Sequence, residues 1–339
     1  MRKGEKIKMR FCAYNVSPDE IEHFEMVGTE LEVEYVLVQE PLSNENSKIA
    51  EGCDGVLDFL PDRKYTERQL ATFAELGIRF LSLRTVGFEM VDPELFRKYG
   101  IKVANVPAYS PAAVAEFAVL LSLMLLRKMQ IYLPRVKTQD FSRAGMVGGE
   151  LNTKTVGIIG TGKIGYEAAK IFKGFGAKVL GFDKVRNEKA EKLLEYTDDL
   201  DDLLKQADII SLHIPLLPDN LHIVDEGSVS KMKDGVILIN TARGGHMDFA
   251  DVLRNLLSKK IGGLGIDVFE FRKVDRFGKS EEVEIIEDRT FLALNSLPNV
   301  IITPHTAYNT DVAVHNMIKI STENLLEFSK TGDSKNRIA

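Results

Sequence analysis

The sequence predicts an α/β protein: two domains, each a doubly wound parallel sheet with helices on its faces. Three observations predict it. Short apolar runs alternate with helix-period segments along nearly the whole chain, the pattern of strand–helix–strand crossovers. One stretch, 155–183, reads as strand, glycine-rich turn, helix and strand in immediate succession. The length, 339 residues, exceeds what a single core usually organises.

The first third supplies the first series. Ile7 to Tyr14 is a strand candidate, and Ser17-Pro18-Asp19-Glu20 provides an N-cap, a proline at the first helical position and two acids in the first turn. Val33 to Val38 is a second strand and Gly55 to Leu60, after the turn at Gly52, a third. Thr66 to Leu76 reads as a helix closed by Gly77, followed by a strand from Ile78 to Leu83. Pro93 opens a short helix, and Ile101 to Val106 ends the series. Pro107 and Pro111 mark a boundary, after which a long apolar helix runs from about Ala112 to Met129. A helix apolar on most sides must be covered by other protein, so it predicts a subunit contact and a homodimer.

After the 155–183 stretch the alternation continues. Strands are expected at Ala207–Leu212, Val236–Asn240, Gly263–Val268 and Val300–Thr303, and a last helix at Asp311–Ser329. That helix is expected to return to the first region, making one domain discontinuous. The tail, Lys330 to Ala339, reads as solvated.

Composition restricts the function classes. Apolar content of 44% and charged content of 28% are those of a globular protein, and a net charge of −6 argues against a nucleic-acid partner. Cys12 and Cys53 lack metal-ligand spacing and are expected in strands as buried free thiols, which suits a reducing compartment, the cytoplasm. The charged start lacks a signal-peptide core, and the apolar run Ala112–Leu126, interrupted by Glu116, is short for a membrane span. No metal site is expected, because no His, Glu or Cys cluster has ligand spacing.

Chemistry enters with Gly160, Gly162 and Gly165 in G-x-G-x-x-G spacing between a strand and a helix. The first permits a tight turn, the second lets a pyrophosphate approach the backbone, and the third lets the helix pack close with its positive end toward the phosphates. Asp183 ends the next strand about twenty residues on, where a carboxylate accepts from the ribose hydroxyls of NAD and repels the 2′-phosphate of NADP. Three further candidates end strands, where parallel sheets bind ligands. Arg243, before Gly244 and Gly245, can aim a guanidinium at a carboxylate. His305, in Thr303-Pro304-His305-Thr306-Ala307, is placed as an acid/base. Asp267 either orients the nicotinamide or a base, or caps the next turn. His23, His222, His246 and His315 read as structural.

The order of these motifs, with His213-Ile214-Pro215-Leu216, Asn240-Thr241-Ala242-Arg243-Gly244-Gly245 and Gly265-Ile266-Asp267-Val268-Phe269, resembles the D-isomer-specific 2-hydroxyacid dehydrogenases. Ser82–Gly87, Asn105–Pro111 and the Lys330-Thr331-Gly332 and Asn336-Arg337 segments look like the D-lactate, (R)-2-hydroxyisocaproate and (R)-2-hydroxyglutarate branch. The resemblance implies two Rossmann-like domains with a cleft between them: a substrate domain of 1–108 and 305–339, and an NAD-binding domain of 109–304. It implies an NAD-dependent oxidoreductase acting on the CH-OH group of small 2-hydroxy acids. It places Lys163 and Ile164 at the pyrophosphate, Ile214, Pro215 and Asn220 along the cofactor, and Thr241, Ala242 and Asp267 toward the nicotinamide. The amides around Val86 and Gly87, with Arg243 and Tyr109, would hold the substrate, and His305 would transfer the proton. At one position the sequence departs from the pattern: Arg272 stands where the family has the glutamate that supports the histidine. Glu270, two residues earlier, is taken as the replacement catalytic carboxylate, with Arg272 facing solvent; in the other arrangement Arg272 faces the substrate and binds a second carboxylate, as in 2-oxoglutarate. The alternative reading is an NAD(H)-sensing binding protein of the same fold, as in the C-terminal-binding co-repressors.

Overall fold

The computed structural model describes residues 8–59, 64–88, 90–269 and 288–339. The described residues divide into two compact units, one up to Ser110 and from Asn309 to Ala339, the other from Pro111 to Tyr308.

The first unit is organised on a five-stranded parallel sheet of order β2-β1-β3-β4-β5. Its elements begin with β1 (Arg10–Ala13), α1 (Ile21–Leu31), β2 (Glu34–Leu37) and β3 (Gly55–Asp58). They continue with α2 (Glu67–Glu75), β4 (Phe80–Leu83), α3 (Pro93–Lys98) and β5 (Lys102–Ala104). The local signals act where the sequence places them. The Ser17 and Glu20 side chains form a capping box ahead of α1, Thr66 caps α2, and Gly77 closes α2 at φ +82°. Cys12 lies in β1, but Cys53 does not lie in a strand. It sits in the turn before β3, with its amide on the carbonyl of Ala50, and both thiols are free and buried.

The second unit opens with α4 (Pro111–Leu126). The predicted helix stops short of Met129 because Lys128 takes a left-handed conformation at φ 55°, and α5 (Met129–Lys137) restarts from it. The unit continues with β6 (Thr155–Ile159), α6 (Lys163–Gly174), β7 (Lys178–Phe182), β8 (Glu195–Tyr196) and α7 (Leu200–Gln206). Then come β9 (Ile209–Leu212), α8 (Glu226–Lys231), β10 (Val236–Asn240), α9 (Phe249–Leu257), β11 (Ile261–Ile266), α10 (Arg289–Ser296) and β12 (Val300–Ile302). The seven strands are parallel in the order β12-β11-β10-β9-β6-β7-β8, so the order reverses between β9 and β6. Such a switch point opens a crevice at the carboxyl ends of the strands. Nine residues of α4 are buried, against α6 and the faces of β10 and β11. Within its own unit the helix is thus largely covered.

The chain then returns to the first unit with α11 (Asp311–Thr331), which packs on α1 and β4. The tail is solvated on one side only: Lys330, Thr331, Asp333, Lys335 and Arg337 are exposed, while its backbone pairs with β5. Ile338 N–H donates to Val103 O at 2.8 Å, Val103 N–H to Ala339 O at 3.0 Å and Asn105 N–H to Asn336 O at 3.2 Å. The edge strand β5 has backbone groups that need partners, and the polar tail supplies them. Buried Asn324 on α11 secures the arrangement, donating to Ser82 Oγ and Asn105 O and accepting from Asn336 Nδ2. Among the described residues no helix is long and apolar enough to cross a membrane.

Candidate active site

In the second unit parallel pairing aligns the strand ends along one edge. The order along it is Asp183 after β7, Gly160 after β6, His213 to Pro215 after β9, Thr241 to Arg243 after β10, Asp267 after β11 and His305 after β12.

The glycine turn is dictated by sterics. Gly160 has φ +92°, and a Cβ there would lie 2.6 Å from His213 O and from Ile214 Cγ2. A Cβ on Gly165 would lie 1.9 Å from Gly160 O, so α6 meets the β6 turn in backbone contact. Gly162 is the N-cap of α6, without side-chain capping, and faces open space. Lys163 and Ile164 occupy the first turn of that helix. Its uncapped amides and the positive end of the helix dipole suit a pyrophosphate.

Asp183 is held from behind. Its Oδ2 accepts from Thr161 N–H at 2.6 Å and Thr161 Oγ1–H at 3.2 Å, and its Oδ1 from Val185 N–H at 3.2 Å. The two cations that follow it are engaged, Lys184 with Asp219 and Arg186 with Asp198. His213 contacts Ser211 Oγ through Nε2 at 2.9 Å, and burial pushes its pKa down to about 4, so it stays neutral at neutral pH. Asn220, expected along the cofactor, is engaged with its own loop. Its Oδ1 accepts from Leu217 N–H and its Nδ2 donates to Pro215 O, so it braces the loop that carries Ile214 and Pro215.

At the other end, Asn240 bridges the turn after β10, accepting from Ala242 N–H and donating to Arg243 O. The half-buried Arg243 donates through Nη1 to Ala242 O. Thr241 Oγ1 is buried without a hydrogen-bond partner among the described residues. Such an atom is costly unless something polar meets it, and a carboxamide would. The Asp267 carboxylate is bonded to the loop after β12. It accepts from Thr303 Oγ1–H, from Thr306 N–H at 2.9 Å and from Ala307 N–H at 2.8 Å. Those bonds flank His305, which is half-buried at φ 57° with its ring 6.3 Å from that of Tyr308. Asp267 thus holds the turn that carries His305. Glu270 and Arg272 lie outside the described residues.

The first unit carries the remaining candidates. Thr85 Oγ1–H donates to Gly87 O at 2.7 Å and Asn105 Nδ2 to Val86 O at 2.7 Å, so the carbonyls of this turn are engaged inward. Asn316 on α11 donates to Tyr109 O at 2.7 Å. Sequence reasoning missed Thr161, Tyr196 and Arg84. Thr161 is an x of the glycine motif and Tyr196 lies in an unremarkable acidic stretch. Arg84 is fully buried, with its guanidinium on Glu20, Tyr14 O and Asn15 O. Among the described residues no cluster of His, Cys, Asp or Glu could hold a metal.

The comparisons with known proteins agree with this geometry. Residues 119–307 match the model of the D-isomer specific 2-hydroxyacid dehydrogenase NAD-binding domain. The chain is 42% identical to a D-lactate dehydrogenase of Lactiplantibacillus plantarum, over 97% of this chain and 99% of the relative. It is 41% identical to an aromatic 2-oxoacid reductase of Clostridium sporogenes, over 97% and 99%. It superposes on the structure of a D-2-hydroxyisocaproate dehydrogenase with a TM-score of 0.90 at 37% identity, covering 97% and 99% of the two chains.

Proposed function

The chain belongs to the D-isomer-specific 2-hydroxyacid dehydrogenase family, and on that premise we propose that it reduces a small 2-oxo acid to the (R)-2-hydroxy acid with NADH, reversibly. It is an NAD-dependent oxidoreductase acting on the CH-OH group. The observation that carries the reading is the order of groups along the edge of one sheet. Asp183 and Thr241 are three strand spacings apart, about 14 Å, the scale of an extended dinucleotide, with the glycine turn between them. Asp183 takes the adenosine ribose, and Gly160, Gly162, Lys163, Ile164 and Gly165 the pyrophosphate. Ile214 and Pro215 flank the cofactor, and Thr241 with Ala242 meets the nicotinamide end. Bound NADH supplies the hydride.

Arg243 binds the substrate carboxylate and polarises the oxo group, opposing the negative charge that grows on its oxygen. His305 gives a proton to the forming alkoxide and takes it back in oxidation. Val86 and Gly87 offer backbone amides to the carboxylate, and Tyr109 contacts the substrate. Glu270 serves as the carboxylate that keeps the imidazole protonated, in place of the residue replaced by Arg272. Glu270→Gln should therefore lower reduction several-fold and move the upper limb of its pH profile to lower pH, because a lost carboxylate weakens the protonated imidazole. Arg272→Glu should leave activity equal or higher. A silent Glu270→Gln together with an Arg272→Ala that no longer turns over a dicarboxylic substrate would reverse this assignment, placing Arg272 on a second substrate carboxylate.

The first unit is the substrate domain and the second the cofactor domain, with boundaries near 108 and 304. A homodimer forms through the second unit. Leu120, Leu123, Met124, Met129, Leu133 and Met146 line a groove of about 600 Å³ there, and Leu133, Val136, Phe141 and Val147 are about half or more exposed. This is apolar surface that a second copy would cover. A monomer by light scattering at micromolar concentration would refute it. The two buried free thiols support a cytoplasmic place.

The deciding experiment is a turnover screen with NADH over pyruvate, 2-oxoisocaproate, phenylpyruvate and 2-oxoglutarate. At least one should yield the (R)-2-hydroxy acid. Turnover of none would leave the reading without support.

A further inference from the structure

Behind Asp183 lies a chain of hydrogen bonds that the glycine motif alone does not require. It starts at Asn187 N–H, which donates to Tyr196 Oη at 2.9 Å. A backbone amide can only donate, so the phenol must send its own proton elsewhere. The near acceptor is Thr161 Oγ1 at 2.7 Å, and Asn187 O is farther, at 3.4 Å. Thr161 Oγ1, having accepted, donates to Asp183 Oδ2, the same oxygen that takes Thr161 N–H. Asn187 Nδ2 holds Thr161 O at 2.8 Å, and Thr161 is fully buried. Every proton along the chain therefore points toward the carboxylate. One oxygen of Asp183 is filled by two donors, and the group cannot turn without breaking both.

The ring of Tyr196 does a second thing. The Arg186 guanidinium lies over it, 5.2 Å from its centroid, while pairing with Asp198. A cation that could have met a 2′-phosphate is held aside on an aromatic face. Tyr196 itself is placed by the short edge strand β8, where it pairs with Gly181 of β7, two residues before Asp183.

We propose that Tyr196 is a positioning residue for cofactor choice: through Thr161 its hydroxyl locks the Asp183 carboxylate in the orientation that accepts NADH and excludes NADPH. The inference rests on the reading of Asp183 as the ribose acceptor. A locked anion is preorganised for a ribose hydroxyl. A carboxylate freed from Thr161 Oγ1 could swing away and make room for a phosphate.

The test measures binding of NADH and NADPH separately by calorimetry on the full chain, with turnover alongside. Tyr196→Phe removes only the hydroxyl, and Thr161→Val only the next link. Each should weaken NADH binding about fivefold, the scale of one lost hydrogen bond, while NADPH binding holds or tightens. The preference for NADH then falls about fivefold or more. KM for NADH should follow the dissociation constant, with the effect on kcat smaller. Thr161→Ser keeps the hydroxyl and should keep the preference. Equal weakening toward both cofactors, or an unchanged ratio, would overturn the inference. If Tyr196→Phe does not fold, the contrast between Thr161→Val and Thr161→Ser decides alone. Asp183→Ser tests the premise separately: if it leaves the preference intact, the ribose reading of Asp183 has failed rather than the lock.

Discussion

In the second unit the turn leaving β6 carries Gly160, Gly162 and Gly165. In the first unit the turn leaving β1 reads Tyr14-Asn15-Val16-Ser17 and carries none. Both turns lead from a parallel strand into a helix, and both sheets switch direction beside that strand. The first unit provides its own anion at that place. Glu20 accepts from Ser17 N–H at 2.9 Å and pairs with Arg84, whose Nη2 donates to Tyr14 O and Asn15 O at 2.9 and 3.0 Å. The guanidinium also lies 5.3 Å from the Phe24 ring and 5.5 Å from that of Phe59. Beside it Asp58 is fully buried, accepts from Tyr65 Oη–H at 2.7 Å, and is pushed up to about 6 by burial. Two sheets of one architecture thus differ in what fills the strand ends. One leaves backbone amides open for a phosphate. The other closes the same place with internal charges.

The largest expected effect breaks the open side. Gly165→Ala drives a Cβ into Gly160 O, 1.9 Å away, and should raise the dissociation constant for NADH more than about a hundredfold, with a stability loss of about 3 kcal/mol. Calorimetry that finds NADH bound within tenfold of the parent would remove sterics as the reason for that glycine.

Breaking the closed side should be nearly as costly but of another kind. Arg84→Met removes the cation from Glu20 and the Nη2 donor from the carbonyls of Tyr14 and Asn15, and should lower unfolding free energy by about 3 kcal/mol. The folded variant should bind NADH within about twofold of the parent. A tenfold loss of NADH affinity would show that the closed side supports cofactor binding after all.

Asp267→Asn tests the histidine turn. An amide in place of the carboxylate sets its NH2 against the donors of Thr303, Thr306 or Ala307, and His305 should lose its placement. Displacement on the order of an ångström costs about a hundredfold in kcat, with NADH affinity changing far less. Steady-state kinetics showing equal losses in both would mean that Asp267 serves the cofactor directly.

The smallest effect concerns Asp58. Its folded pKa, about 6, lies above the ordinary carboxylate value, so the folded state holds the proton more tightly than the unfolded chain. Stability from this group is present below about pH 4 and is lost as pH rises through about 6, a change of roughly 2–3 kcal/mol. Asp58→Asn should remove that slope, gaining about 2 kcal/mol on the parent between pH 4.5 and 7.5 in urea titrations. Parallel pH profiles would show that Asp58 is not ionised against a burial cost.

The particulars show what kind of information each feature needed. The strands and helices were legible because their signals are local: apolar runs of strand length, Ser17 and Pro18 ahead of the first helix, Pro93 at the start of α3 and Gly77 past the end of α2. The glycine turn was legible because only glycine tolerates φ +92° at 160 and the backbone contact at 165. The extent of α4 was misread because nothing in Arg127-Lys128 announces a left-handed residue. The pairing of the tail was missed because its partner, β5, lies more than two hundred residues earlier in the chain.

By itself, then, the sequence determined the α/β alternation, the dinucleotide turn and the acid after β7, since each rests on conformations and periodicities set within a few residues. Only the tertiary structure decided that Asp267 holds the His305 turn 36 to 40 residues away. It alone decided that Tyr196 reaches Asp183 through Thr161, and that Arg84 closes the first unit's turn. A side chain's partner across the fold depends on strand order and loop packing, and a carboxylate, phenol or guanidinium carries no local mark of which backbone it will meet.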